Sequence, residues 1–250
     1  QYGIDKSTGL WRGIDVGDFN NDGLIDFVAT NRGLNSSYVA NQAQPLVVYH
    51  GDFNQDGVWD FIETEYGENG QLYPRRHLST MATAMPWLTE RLQNYGQYSK
   101  TPLINLFAST FKTQMKRIEI RTLESTVFIQ NGGRFEPKSL PIKAQFSSAF
   151  CPVVADFNND GSEDIFISQN EFSLHPEESR EDAGLGLLML GDGEGSFRAL
   201  SISESGLVVP GEGRGSAAAD FDHDGRTDLL VAQNGSTPRL FKNQTKRNGL

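Results

Sequence analysis

Apolar residues along this chain fall into short runs of strand length, separated by polar, glycine-rich turns. FVAT (Phe27–Thr30), PLVVYH (Pro45–His50), WDFIETEY (Trp59–Tyr66), IFIS (Ile165–Ser168) and LLVA (Leu229–Ala232) are such runs, and they predict β-strands. RIEIRT, STVFIQN and RFEPKSL predict further strands between residues 117 and 140. VVADF, DIFISQ, GLGLLML and SFRAL, between residues 150 and 200, predict the clearest four-stranded unit, interrupted by the acidic loop Phe172–Gly184. A last unit is expected to start near Ser216.

One stretch has a different period. Residues 75–112 carry Met81, Met85, Leu88 and Leu92 at four- and three-residue intervals, the spacing of a helix face. Ser79 or Thr80 is placed to cap that helix, and Pro86 to divide it. A second short helix is expected over TPLINLFASTF, with Thr101 as N-cap and Pro102 in its first turn. The expectation is an all-β scaffold with a helical insertion.

The turns repeat. GDFNNDGLIDFV from Gly17, GDFNQDGVWDFI from Gly51, ADFNNDGSEDIF from Ala155 and ADFDHDGRTDLL from Ala219 align without gaps. Ca²⁺ takes about six to eight hard oxygens, and loop positions 1, 3, 5 and 9 offer side-chain oxygens while position 7 offers a carbonyl. The expected donors are Asp18, Asn20, Asp22, the Leu24 carbonyl and Asp26 in the first loop, and Asp52, Asn54, Asp56, the Val58 carbonyl and Asp60 in the second. In the third they are Asp156, Asn158, Asp160, the Ser162 carbonyl and Asp164. In the fourth they are Asp220, Asp222, Asp224, the Arg226 carbonyl and Asp228. Position 6 is Gly23, Gly57, Gly161 or Gly225, where a sharp turn is expected and a Cβ to clash. The loops predict up to four bound Ca²⁺. They are not EF-hands, because position 12 is Ala29, Glu63, Ile167 or Val231 and the flanks are strands. Position 2 is always phenylalanine (Phe19, Phe53, Phe157, Phe221), expected to bury beneath the loop.

Charge follows the same pattern. The chain is 250 residues long with a net charge of −10. The loops hold three, three, three and four carboxylates, thirteen of the 32, so the remainder has 19 acidic against 22 basic residues. The acidity is therefore concentrated in the loops. It disfavours nucleic acid as a partner. Cys151 is the sole cysteine, which excludes an internal disulfide and a thiolate metal cluster. No apolar run reaches the ~18 residues of a membrane span. His50, His77, His175 and His223 form no zinc spacing, and there is no nucleophile elbow or P-loop. Glu171, Glu177, Glu178, Glu181 and Asp182, beside Arg180 and His175, read as a solvated loop in preference to a catalytic carboxylate pair.

The DxNxDGxxD loops, with the turns GDGEGSF (Gly191–Phe197), QNGGRF (Gln130–Phe135) and GENGQLY (Gly67–Tyr73), resemble the FG-GAP/VCBS repeat of integrin-α-like β-propellers. AADFDHDGRTDLLVAQNGSTPRLFKN (Ala218–Asn243) and NRGLNSSY (Asn31–Tyr38) are similar to the bacterial group with an ASPIC/UnbV region, related to cartilage acidic protein. The resemblance covers nearly the whole of 1–250. It implies a β-propeller, or part of one, with about four blades, and calcium binding, but no reaction. Loop spacings of 34, 104 and 64 residues depart from a regular blade repeat; the shortest fits two hairpins of one blade. The expected role is a calcium-stabilised module that is extracellular, at the cell surface or periplasmic, and that binds a protein or glycan. The alternatives are a lyase or hydrolase with its site under the helical cap, or a subunit of an extracellular assembly whose other chains complete the propeller.

Overall fold

A computed structural model describes residues 2–92, 94–107 and 115–245. Strands β1 (Gly13–Gly17) and β2 (Asp26–Thr30) flank the first Asp-rich loop, and β3 (Leu46–Gly51) and β4 (Asp60–Tyr66) flank the second. Then come β5 (Leu72–Pro74) and four short helices, α1 (Leu78–Ala84), α2 (Trp87–Arg91), α3 (Tyr95–Ser99) and α4 (Leu103–Leu106). Strands β6 (Lys116–Ile120), β7 (Thr126–Asn131) and β8 (Arg134–Ser139) follow. Strands β9 (Ala149–Ala155) and β10 (Asp164–Gln169) flank the third loop, followed by β11 (Leu187–Gly191), β12 (Phe197–Ala199) and α5 (Ile202–Ser205). Strands β13 (Glu212–Ala219) and β14 (Asp228–Asn234) flank the fourth, and β15 (Ser236–Phe241) ends the series.

These strands form four antiparallel sheets, none closed into a barrel. Two compact units hold them: one of Gln1–Tyr38 with Leu123–Leu250, the other of Val39–Thr122. The first unit contains the sheets β1-β2-β7-β8, β12-β11-β10-β9 and β13-β14-β15. The second contains β5-β4-β3-β6. No helix among the described residues is long and apolar enough to cross a membrane.

The first two loops, despite their short spacing, do not share a sheet or a blade. The outer partner of β2 is β7, with Phe27 opposite Phe128 and Val28 opposite Val127, so the chain leaves this sheet half-built and returns to it about 100 residues later. Strand pairing is set by side-chain complementarity across the ladder: Phe27 and Phe128 stack at 4.5 Å.

In the first unit, alternation along β10 sorts its side chains to two cores. Ile165 and Ile167 join Phe19, Val28, Val127 and Met189, and Phe166 joins Val153, Phe157, Leu229 and Val231. Every residue of β10 is buried, as expected for a strand covered on both faces. Strand β9 lies beside both β1 and β13. The Asp15 carboxylate accepts the Val154 N–H at 2.8 Å across the β1–β9 seam.

The position-2 phenylalanines follow the same stacking. Phe19 meets Phe197 of the next sheet edge-on at 5.4 Å, and Phe157 packs against β14. Phe53 buries in the second unit against Phe107, ring centroids 5.6 Å apart. Phe221 departs from the expectation. It is 65 % exposed, because no described sheet follows β13–β15 to cover it.

In the second unit, Met81, Met85, Leu88 and Leu92 all bury against Val47, Tyr49 and Ile62 of the sheet, so the helical period is the true one. Pro86 separates α1 from α2. The caps differ from expectation: His77 caps α1 without a side-chain hydrogen bond, and Pro102 takes the N-cap of α4 in place of Thr101. Part of the helix expected over TPLINLFASTF, residues 108–111, lies outside the described residues. The final sheet starts at Glu212, four residues before Ser216, with a register shift between Gly213 and Gly215.

Candidate metal-binding loops

Each Asp-rich loop joins the first two strands of its hairpin, and all four close with the same backbone. Position 4 has positive φ in every copy: Asn21 55°, Gln55 62°, Asn159 57° and His223 60°. Position 6 follows at Gly23 81°, Gly57 86°, Gly161 89° and Gly225 82°. The expected clash is absent, since a Cβ at Gly23, Gly57 or Gly161 would meet nothing within 4 Å. Glycine is required there by its left-handed φ and not by crowding.

The position-1 carboxylate organises the turn. Asp18 accepts the N–H groups of Asp22 and Gly23 at 3.1 and 2.8 Å, and Asp156 those of Asp160 and Gly161 at 3.2 and 2.9 Å. Asp52 and Asp220 do the same. The position-5 carboxylate accepts the position-7 N–H: Leu24, Val58, Ser162 and Arg226 donate to Asp22, Asp56, Asp160 and Asp224 at 2.7–3.0 Å. The Asn20, Asn54 and Asn158 amides donate to the position-5 carboxylate at 2.8–2.9 Å, and the Asn54 and Asn158 Oδ1 atoms accept the Asp56 and Asp160 N–H groups at 3.1 and 2.9 Å. Asn20 Oδ1 is buried without a hydrogen-bond partner.

The position-9 aspartates have a role the spacing did not reveal. Asp26, Asp60, Asp164 and Asp228 each accept the N–H of the position-2 phenylalanine at 2.9–3.1 Å. Asp26 also accepts the Gln130 N–H, Asp164 the Gly191 N–H and Asp228 the Asn243 N–H, at 2.7–3.0 Å. Asp26, Asp164 and Asp228 therefore tie the first, third and fourth loops to the third strand of the sheet or the segment after it. Burial pushes the Asp26 carboxyl above its usual range and the Asp164 carboxyl up to about 6.

The expected donor atoms are all oxygens, which suits a hard cation, and in the fourth loop Asp220, Asp222 and Asp224 each bring an oxygen within 4.8 Å of the others, while Asp228 falls outside that group. Among the described residues this is the single cluster of three acidic, His or Cys ligands that close. Two cations stand beside it. Lys242 donates to Asp222 at 2.9 Å and holds that carboxyl below its ordinary range, and Arg226 pairs with Asp224. His223 is exposed, as expected, and His50 stacks on Trp59 at 5.0 Å beside the second loop.

Glu163 was not singled out by its motif position. Its carboxylate accepts the Asp18 N–H at 2.6 Å, linking the third loop to the first, and burial raises its pKa. At the other end of the strands, the loop Phe172–Gly184 departs from the solvated reading at its margins. Glu181 is buried and pairs with buried Arg32 at 2.7 Å; Glu171 pairs with Arg12 at 2.6 Å. Ser148 Oγ reaches both carboxylates. Arg12 and Arg214 lie over the Phe150 ring at 4.4 and 3.7 Å. Both glutamates are thus neutralised by arginine, and the loop's exposed tip keeps His175, Arg180 and Asp182.

No protein-family model and no curated protein matches the chain.

The second unit holds an open cleft of about 1090 Å³ between the β4–β5 hairpin and helices α1 and α3. Glu65, Tyr73, Arg75, His77, Tyr95 and Lys100 lie on its walls.

Proposed function

We propose that this chain is a calcium-binding, extracellular recognition module of the FG-GAP/VCBS β-propeller type, with structural metal and a protein or glycan partner. The observation that carries the calcium reading is the fourfold recurrence of one loop conformation, in which the turn's own N–H groups bond the position-1 and position-5 carboxylates. Clustered carboxylates repel one another in the absence of a cation, and Asn20 Oδ1 is an orphan acceptor at an expected ligand position. When bound, Ca²⁺ would neutralise these carboxylates. The chain's own groups orient them and anchor the loop to its sheet. The side-by-side first strands β1, β9 and β13 support the propeller reading, since propeller blades align their inner strands around an axis.

The cleft of the second unit gives the enzyme alternative its one favouring observation, because His77, Arg75, Glu65 and Tyr73 share it. The recognition reading accounts for it better. Tyr73 accepts from Asn69 at 2.9 Å, Tyr98 donates to the Arg76 carbonyl at 2.8 Å, and the cleft is open to water. Calcium titration with thermal melting tests the main reading. Occupancy at about 100-fold above Kd adds about 2.7 kcal/mol per site, so Tm should rise with calcium and fall back with chelator. An unchanged Tm across the titration refutes structural calcium.

A further inference from the structure

The cleft in the second unit has the size and lining of a ligand site. Its volume, about 1090 Å³, lies just above the range usual for ligand pockets, room for more than one sugar ring. Pro74 and Leu78 are its aliphatic lining residues and both are buried, so little aliphatic surface is offered to a greasy ligand or to the side chains of a peptide. Peptide addition to the neighbouring sheet edge is also disfavoured. That edge is β5, three residues long, and Pro74 has no N–H to donate.

What the cleft does offer is aromatic and polar. Tyr95 is 64 % exposed at its rim. Tyr73 is fixed by the Asn69 amide and Tyr98 by its bond to the Arg76 carbonyl, so neither ring has to be ordered on binding. Exposed Lys100 has no ion pair among the described residues. A flat aromatic rim with fixed hydrogen-bonding groups suits a hydroxyl-rich ring, and Lys100 suits an acidic one.

We propose that this cleft binds a short oligosaccharide bearing carboxylate groups, with Tyr95 as the stacking platform and Lys100 as a carboxylate partner. The second Asp-rich loop is coupled to it. Asn54 donates to the Ala84 carbonyl at 3.0 Å, at the last residue of α1, and Leu78 and Ser79 at the other end of α1 line the cleft. Among the described residues the corresponding Asn20 and Asn158 make no such bond to a helix. Calcium at this loop would hold α1, and through it the cleft wall; this dependence alone rests on the calcium reading above.

The test is calorimetric titration of the full chain with a galacturonic acid tetrasaccharide, using cellotetraose as the neutral comparison, with and without calcium. Saturable 1:1 binding of the acidic tetramer is expected, weaker by about tenfold for cellotetraose. Tyr95→Ala should weaken it by about tenfold, and Lys100→Ala should abolish the preference for the acidic sugar. Both positions are exposed, so Tm should not move. No binding of the tetramer, binding indifferent to both variants, or its cleavage into shorter products would overturn the proposal. A calcium-dependent Tm with no sugar binding overturns this inference alone. Sugar binding without a calcium-dependent Tm overturns the calcium reading and leaves the cleft standing.

Discussion

Asp164→Asn should stabilise the metal-free protein at neutral pH and destabilise the calcium-loaded one. Asp164 is fully buried and accepts N–H groups from Phe157 and Gly191 at 2.9 and 3.0 Å. Burial raises its pKa from 3.8 to about 6. A carboxyl whose folded pKa lies above its unfolded one binds its proton more tightly in the native state. Stability from this group is therefore fully present below pH ~4 and is lost as pH rises toward ~6. Spread over that window, the shift corresponds to about 3 kcal/mol of charge-burial cost at pH 7. Asparagine is isosteric with the protonated acid and carries no charge, so it avoids most of that cost. Against this stands one buried N–H that faces an amide NH₂ in place of an oxygen, at about 1–3 kcal/mol. The net expectation in metal-free buffer is a gain of up to ~2 kcal/mol at pH 7, shrinking and changing sign by pH 4. On the proposed calcium reading the sign reverses at pH 7 with saturating calcium, because the variant would lose a ligand charge. Urea unfolding of both proteins at several pH values, with and without calcium, reads this directly. A stability difference that is flat with pH in metal-free buffer would refute the burial argument. A difference indifferent to calcium would refute the ligand role.

Phe19→Ala should cost about 3–5 kcal/mol, since Phe19 is buried between sheets, whereas Phe221→Ala should stay within about 0.5 kcal/mol; unfolding curves of the two variants separate these outcomes. Gly13→Ala should destabilise markedly, because its Cβ would lie 1.9 Å from the Phe150 carbonyl oxygen, and reduced soluble yield and Tm would report it. Glu181→Gln should cost about 3–5 kcal/mol by stranding buried Arg32, and Arg32→Met combined with it should recover part of that loss in a double-mutant cycle.

Much of this protein was readable from one dimension because its strongest signals are local. A left-handed turn needs glycine at position 6 whatever surrounds it, and N–H groups of one loop find the carboxylates of the same loop. The four Asp-rich hairpins, the strand runs beside them and the helical stripe of Met81, Met85, Leu88 and Leu92 all depend on contacts a few residues apart. What joins distant segments was decided by tertiary packing. The pairing of β2 with β7 rests on Phe27 meeting Phe128 across an intervening unit with its own sheet. The burial of Phe19 and the exposure of Phe221 follow from whether another sheet lies alongside, which identical motifs cannot encode. Position 9 shows the same division within one residue. Sequence spacing marks Asp26 and Asp164 as oxygen donors, but their bonds to Gln130 and Gly191, and the burial that raises their pKa, exist only once a third strand has docked beside the loop.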